Sequence, residues 1–529
     1  MVTGARRLLE VLASHGVEVV FGLPGVHNLA VWEALRDSGI RMIGVRHEQT
    51  AAYAADGYAR ATGRLGVAVV TTGPGAANTL GAVGEAMASG SPVLVVATDI
   101  PSTLRVPGVH RGVLHETRDQ AGMFRPVVKD AWTVPDAGSL AASAHRAVRT
   151  ALSGAQGPVY LGIPADLLVA PAAPAAAEPA AESPVPDLSE ALELIAGARR
   201  PVIWAGGGAA RSGADVGELA SRIGAPVLTT FGARGLLPLD HPCAVHGPVH
   251  VPEVGALWDA ADLVVAVGTD FDGMSTQNWA LPPPPRLLAV NVDADEASKN
   301  YPADAVLVGD ARRVVSALVS ALPPAPPPVD LVSGVNAAVR RTVADESPEA
   351  AYLLAALEGV SATLVADMCV AGYWVGGFHR VPRPRGLAYP VGWGTLGFGF
   401  PAAVGASVVG RAVAVCGDGG FLFACGDLAT VAQEGLPVTA VVVDDGGYGM
   451  LRYDQEVAGH PATGVDLRTP DFVALAESFG VPAVAVDGFG SVFGARLAEF
   501  VAAEGPNVLV VRSRLTPPPT TSPRWYRRG

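Results

Sequence analysis

One pattern restricts the fold more than any other: short apolar, β-branched runs alternate with helix-length stretches down the whole chain. RMIGV (41–45), GVAVVTT (66–72) and SPVLVVAT (91–98) are such runs, as are PVIWAGG (201–207), APVLTT (225–230), DLVVAVG (262–268) and RLLAVNVD (286–293). RAVAVCG (411–417), PVTAVVVDD (437–445) and PNVLVVRS (506–513) continue the pattern. Uninterrupted apolar runs of this length suit strands buried on both faces, and the stretches between them suit crossover helices of parallel sheets. The predicted class is α/β, with doubly wound parallel sheets.

Two proline-rich stretches, 171–187 and 322–330, read as linkers because neither can hold a helix or a strand. They divide the chain into segments of about 1–170, 188–321 and 331–529, each of domain size. The first and third segments resemble each other. Residues 66–99 run strand, Gly-x-Gly turn, helix, Pro-Val, strand and Asp, and residues 411–445 repeat that order, with Gly73 and Gly75 matching Gly417 and Gly419. A duplicated domain flanking an unrelated middle one explains this. So does the general similarity of strand–helix–strand units, and both readings stay open at this level.

Composition excludes several classes. With 37 Lys+Arg against 50 Asp+Glu, the net charge of −13 argues against binding nucleic acid or an anionic membrane. Half the residues are hydrophobic and 16% are charged, so the chain can bury a large core and is not disordered as a whole. Four cysteines without a CxxC pair suggest neither a disulfide framework nor a zinc site. The N-terminal stretch lacks the apolar core of a signal peptide, and no uncharged apolar run approaches the ~20 residues of a membrane span. A cytoplasmic enzyme is expected.

The third segment carries the chemistry. Its strand through Cys416 runs into Gly417-Asp418-Gly419-Gly420, with a helix expected over about 422–434, then a strand to Val443 and Asp444-Asp445-Gly446-Gly447. Asp418 and Asp445 lie one strand–helix–strand crossover apart, which brings both to the carboxyl ends of parallel strands, where open α/β sheets bind ligands. Glycine amides beside them can approach an anion, and two carboxylates plus a diphosphate suit Mg²⁺. Gly-Asp-Gly alone is an ordinary turn; its partner at crossover spacing gives it weight.

GDGG followed by DDGGYGM resembles the thiamine-diphosphate fingerprint, Gly-Asp-Gly and then Asn-Asn some 25 to 30 residues on. RHEQTAAYAADGYARATGR (46–64) with TTGPGAANT (71–79) is similar to the pyrimidine-binding half of acetolactate synthase and its decarboxylase relatives, and VGWGTLGFGFPAAVGA (391–406) to the stretch seating the aminopyrimidine. The resemblance covers nearly the whole chain, in the order pyrimidine domain, middle Rossmann-like domain, diphosphate domain. It implies thiamine diphosphate and Mg²⁺ as cofactors, with a small-molecule 2-oxo acid as substrate. Glu48 would hydrogen-bond N1′ of the pyrimidine. Gly394 and Leu396 would seat the ring, Leu396 holding the cofactor bent. Asp418, Asp445 and the Gly447 carbonyl would ligate the metal, and Gly417, Gly419, Gly420, Tyr448, Gly449 and Met450 would complete the cofactor site.

The chain also departs from the family. Asp445 stands where asparagine is usual. GVLHETRDQ (112–120) is similar to the loop that carries two adjacent acid–base histidines in pyruvate decarboxylases, but here His115 is followed by Glu116. His115 is thus either a catalytic or a structural histidine. The Gly206-x-Gly208-x-x-Arg211 spacing lacks the third glycine of a dinucleotide fingerprint, which disfavours a nicotinamide dehydrogenase. Phe271-Asp272-Gly273-Met274 loses the arginine of the flavin-binding synthases, so FAD is not expected. The resemblance points to decarboxylation with carboligation to a second carbonyl, as in acetolactate synthases. Simple decarboxylation to an aldehyde is the alternative, and a non-catalytic binding or regulatory subunit is a reading of another class, opposed by retention of Glu48, Asp418 and the seat. The family's site lies between chains, so a homodimer at least is expected, with a homotetramer favoured.

Overall fold

The computed structural model describes residues 2–106, 108–176, 184–324 and 326–518. Three sheets follow one another along the chain. The first contains β1 (Val19–Gly22), β2 (Arg41–Gly44), β3 (Gly66–Val70), β4 (Val93–Asp99), β5 (Asp130–Thr133) and β6 (Val159–Pro164) in the order 2-1-3-4-6-5. The second contains β7 (Pro201–Ala205), β8 (Val227–Thr229), β9 (Leu263–Val267), β10 (Leu287–Asn291) and β11 (Ala305–Val308) in the order 11-10-9-7-8. The third contains β12 (Thr363–Ala366), β13 (Leu387–Ala388), β14 (Ala412–Gly417), β15 (Val438–Asp444), β16 (Ala483–Asp487) and β17 (Asn507–Arg512) in the order 13-12-14-15-17-16. Every ladder between these strands is parallel. Counted from the first strand of each, the first and third sheets share one order and the second does not, which favours the duplication reading.

The helices that shape the site are α1 (Glu48–Thr62), α2 (Leu80–Ala88), α3 (Gly399–Ala406), α4 (Asp418–Phe421), α5 (Leu428–Glu434) and α6 (Gly449–Val457). α1 starts where the extended His47 accepts the Gln49 N–H through its ring, and it stops at Gly63, whose φ of +71° is a left-handed cap. Its middle, from Thr50 to Ala59, is buried all round, as is the whole of α3. These two helices cross backbone to backbone. A Cβ at Gly57 would stand 1.9 Å from the Ala402 carbonyl oxygen, and one at Gly405 would stand 1.7 Å from that of Ala54. One apolar core therefore spans the first and third segments, drawing Ala51, Ala54 and Tyr53 together with Phe398, Ala402 and Phe421.

Two local expectations are adjusted. The helix expected over 422–434 is shortened to α5, preceded by a 3₁₀ turn (Cys425–Asp427), with α4 ending before it. The turn frees Asp427, 1% exposed, to accept from the Arg46 N–H at 2.8 Å and the Thr50 hydroxyl at 2.6 Å, so a third-segment carboxylate ties down the start of α1. The 322–330 linker is shorter than expected, since a helix opens at Val329 directly after Pro328. Of the 171–187 linker, residues 177–183 lie outside the described residues. Among the described residues no helix is long and apolar enough to cross a membrane.

Gly405→Ala is expected to destabilise the fold by about 1–3 kcal/mol, because the added methyl must displace the α1 backbone. Gly334→Ala, in a helix position with nothing near its Cβ, should be neutral or slightly stabilising. Chemical denaturation midpoints of the two variants check this.

Candidate active site

β12, β14 and β15 are neighbours in the third sheet, and an aspartate stands at the carboxyl end of each: Asp367, Asp418 and Asp445. A cleft of roughly 230 Å³ opens beside them. Gly394 and Leu396 line it from the seat, and Gly417, Asp418, Gly419 and Gly420 from the turn after β14. Asp445, Gly447, Tyr448, Gly449 and Met450 line it from the loop after β15. The cleft thus gathers every cofactor residue expected from the third segment.

Asp418 is 1% exposed and accepts N–H groups from Gly419 at 2.6 Å and from Gly446 and Gly447 at 2.9 Å each. Burial still raises its pKa. Burial first, then the charge of Asp418, pushes Asp445 up to about 6, and Asp445 Oδ1 is buried without a hydrogen-bond partner. Two carboxylates that repel each other, one with an uncommitted oxygen, form a receptor for a cation. They do not complete one: among the described residues no group of three or more His, Cys, Asp or Glu could hold a metal. The missing oxygens must come from backbone, water or an anionic ligand.

The glycines matter sterically. A Cβ at Gly449 would stand 2.1 Å from Asp445 Oδ2, and one at Gly419 would stand 2.6 Å from the Tyr448 ring. At Gly447 a Cβ would meet the Val465 carbonyl at 2.1 Å, and φ there is +153°. The loop is pinned from behind by Arg452, which donates to the Gly446 carbonyl and the Asp466 carboxylate.

Sequence reasoning missed Asp367. It is fully buried, and burial pushes its pKa up to about 6. Its Oδ1 accepts from the Met368 N–H at 2.7 Å and the Gly397 N–H at 3.0 Å, fixing the seat directly after Leu396. Glu85 of α2 was also missed. It accepts from the Thr395 hydroxyl at 3.0 Å and from Arg60 of α1 at 3.1 Å. Their position was the available signal: Asp367 closes an apolar strand run, as Asp418 and Asp445 do, while Glu85 interrupts an apolar helix.

Glu48 belongs to a second group. It is 8% exposed at the first position of α1, and its Oε2 accepts from Asn78 Nδ2 at 3.0 Å. Thr71 and Gly75 lie beside it, while Gly73 lies against His115, whose ring meets that of His27 edge to face. Glu48 and His115 are not among the residues that line the cleft of their own chain. The Glu48 group and the cleft are therefore two separate groups within one chain.

Comparison with known proteins assigns the chain to a family. The thiamine pyrophosphate enzyme N-terminal TPP-binding domain matches residues 2–123, the central domain 188–318 and the C-terminal TPP-binding domain 367–511. The chain belongs to the thiamine pyrophosphate enzyme family. It is 35% identical to the Pseudomonas aeruginosa protein named "Probable 2-ketoarginine decarboxylase AruI", over 90% of this chain and 88% of that one. It is 34% identical to an acetolactate synthase of Mycobacterium bovis, over 90% of this chain and 82% of the relative. A solved Mycobacterium smegmatis structure described as thiamin diphosphate-dependent superposes with a TM-score of 0.81 at 26% identity, covering 98% of this chain and all of that one. The cleft fits the family's cofactor, with glycine positions that leave the turn amides open to an anion and the uncommitted Asp445 oxygen available to a cation.

Gly420→Ala is expected to weaken thiamine diphosphate binding about tenfold, equivalent to about 1.4 kcal/mol. Its Cβ would stand 2.8 Å from Asp367 Oδ2 and 3.2 Å from the Leu396 side chain, prising the seat from the turn. Gly426→Ala, in open space, should bind normally. Fluorescence titration with thiamine diphosphate and Mg²⁺ measures both.

Proposed function

We propose that two copies of the chain bind thiamine diphosphate and Mg²⁺ between them and decarboxylate a 2-oxo acid there. The observation that carries this reading is the separation of the two half-sites. Glu48 is poised on the first segment, while the cleft that fits the diphosphate belongs to the third and is not lined by Glu48 of the same chain. Pairing two chains in a two-fold arrangement places Glu48 of each beside the cleft of the other.

In this reading Asp418, Asp445 and the Gly447 carbonyl hold Mg²⁺. The amides of Gly419 and Gly420 meet the diphosphate, and Gly417 gives the turn its clearance. Tyr448, Gly449 and Met450 close the site at the start of α6. Gly394 and Leu396 seat the pyrimidine, with Asp367 and Glu85 holding the seat from below. Glu48, oriented by Asn78, shares a proton with the pyrimidine N1′. When bound, the cofactor supplies a nucleophilic carbon and an electron sink for loss of CO₂. The overall likeness to acetolactate synthases supports carboligation to a second carbonyl; the relative named for 2-ketoarginine decarboxylation supports release of an aldehyde.

Incubating the metal-loaded enzyme with a panel of 2-oxo acids, while scoring CO₂ and identifying products by mass spectrometry, tests the activity. Acid extraction of the purified protein is expected to yield thiamine diphosphate without stoichiometric flavin, Met274 standing where the flavin-binding relatives carry arginine. Glu48→Gln should keep the cofactor and lose about a hundredfold or more in turnover, since an amide cannot supply the proton. Near wild-type rates would sink the mechanism.

Mixing Glu48→Gln and Asp418→Ala chains tests the assembly. A mixed dimer has one intact site of two, so random one-to-one reassortment should recover about a quarter of wild-type activity. Zero recovery with demonstrated subunit exchange would place the whole site within one chain.

A further inference from the structure

Two arginines reach deep into the protein, and their surroundings differ. Arg60 is held by Asp56 at 2.8 Å and Glu85 at 3.1 Å; burial opposes its charge, but these two carboxylates outweigh that and its pKa rises. Arg234 is 7% exposed and, among the described residues, has no carboxylate partner. Burial alone acts on it, and pushes its pKa down to about 10. Its Nη2 donates to the Gly377 and His379 carbonyls, at the end of the helix Val370–Phe378. That contact caps the helix through one of three guanidinium nitrogens. It leaves the buried charge without a counter-ion, an arrangement that is costly unless an anion completes it.

A recess of roughly 30 Å³ lies beside Arg234, between the middle and third segments. Arg234, His246, His379 and Arg380 form its polar wall, with Val227 and Val381 on its apolar side. His379 is 3% exposed, and its Nδ1 is buried without a hydrogen-bond partner. Buried polar atoms in a structural role are normally paired, so this exception requires a reason. Burial chiefly, with Arg234 and Arg380 acting against Glu358, pushes the His379 pKa down to about 4, so the ring is neutral. The nearby carboxylate, Glu358, is already taken by Arg380 through bonds of 2.8 and 2.6 Å. In a chain of net charge −13, this junction therefore carries an excess of positive charge. The backbone under Arg234 is fixed as well: Gly235 has a φ of +79°, and a Cβ there would stand 2.3 Å from the Arg383 carbonyl oxygen. The recess exceeds the about 10–15 Å³ that one water needs, and is far too small for a nucleotide.

We infer that this recess binds a small, singly charged oxyanion, with the Arg234 guanidinium and His379 Nδ1 as its donors. A guanidinium presents paired N–H groups to two oxygens of a carboxylate or a phosphate, and a neutral imidazole adds one donor from Nδ1. One uncompensated guanidinium beside a neutral ring calls for a single negative charge, which a carboxylate and monobasic phosphate both carry. The site is separate from the cofactor cleft, since no residue lines both. The helix Val370–Phe378 nevertheless joins them: Val370, Ala371 and Tyr373 wall the cleft, and Arg234 caps the other end. A bound oxyanion thus fastens the middle segment to a helix that shapes the cofactor site.

The test uses the full-length enzyme saturated with thiamine diphosphate and Mg²⁺, so that the cleft does not compete for the added ion. Sodium acetate or inorganic phosphate is titrated at an ionic strength held constant with chloride, and Tm and calorimetric heat are followed. Wild type should show a saturable rise in Tm and saturable heat with at least one of them. The ion that binds more tightly, acetate or phosphate, identifies the ligand as a carboxylate or a phosphate. Arg234→Met should abolish both signals, and His379→Leu should weaken binding about tenfold or more, with cofactor affinity unchanged within about twofold. Absence of saturable binding over chloride in wild type overturns the inference. So does wild-type affinity in Arg234→Met or, should that variant fail to fold, in His379→Leu. A loss of oxyanion binding that appears only with a comparable loss of cofactor affinity also overturns it, because the ion would then belong to the cleft.

Discussion

Helices α1 and α3 approach so closely at Gly57 and Gly405 that neither position tolerates a Cβ, and the placement of both half-sites depends on that contact. Arg60, one turn beyond Gly57, is locked beside it by Asp56 at 2.8 Å and Glu85 at 3.1 Å and donates to the Tyr389 carbonyl at 3.0 Å. Burial works against its charge, but Asp56 and then Glu85 outweigh that, and its pKa rises. Removing Arg60 would strand two fully buried carboxylates, a loss on the order of 3–5 kcal/mol. Through Glu85 the same cluster holds Thr395, next to Leu396. A rigid path therefore runs from the helix that begins at Glu48 to the seat. In the proposed dimer that path joins the acid of one site to the cofactor seat of the other.

The cleft itself is built against its own electrostatics. Asp367, Asp418 and Asp445 gather at the carboxyl ends of three neighbouring strands, and burial raises the pKa of all three. Such an arrangement is costly until something positive enters, since buried like charges resist ionisation. Asp367 commits its Oδ1 to backbone N–H groups, and its Oδ2, like Asp445 Oδ1, is buried without a hydrogen-bond partner. Asp445, a carboxylate rather than an amide, adds one charge to this tension. The chain compensates partly with Arg452 and Arg514, whose charges lower the Asp445 pKa and whose guanidiniums donate to its carbonyl at 3.4 and 3.1 Å.

Much of this was legible in the residue order. Continuous apolar runs announced parallel sheets. The 27-residue step from Asp418 to Asp445 placed both at neighbouring strand ends, where β14 and β15 deliver them. The likeness of residues 66–99 to 411–445 was a trace of two sheets with one strand order. Asp427 was harder to read, because it looks like any polar residue in an amphipathic stretch. Its function is to stop a helix and hold Thr50, a residue nearly four hundred positions away. The contact of His27 with His115 is likewise one between residues distant in sequence, joined only by the fold.

The sequence by itself determined what is set by local chemistry: strand and helix periods, the glycines that left-handed turns require, and carboxylates at crossover spacing. Each needs only neighbours within one strand–helix–strand unit, so residue order is sufficient to specify it. Tertiary structure alone decided which groups remain unsatisfied. That Glu48 does not line the cleft of its own chain, that Glu85 and Asp367 support the seat, and that His27 and His115 keep free nitrogens while His15 and His145 do not all depend on long-range packing. Hydrogen-bond satisfaction is a property of three-dimensional proximity, and no periodicity or spacing in a sequence encodes it.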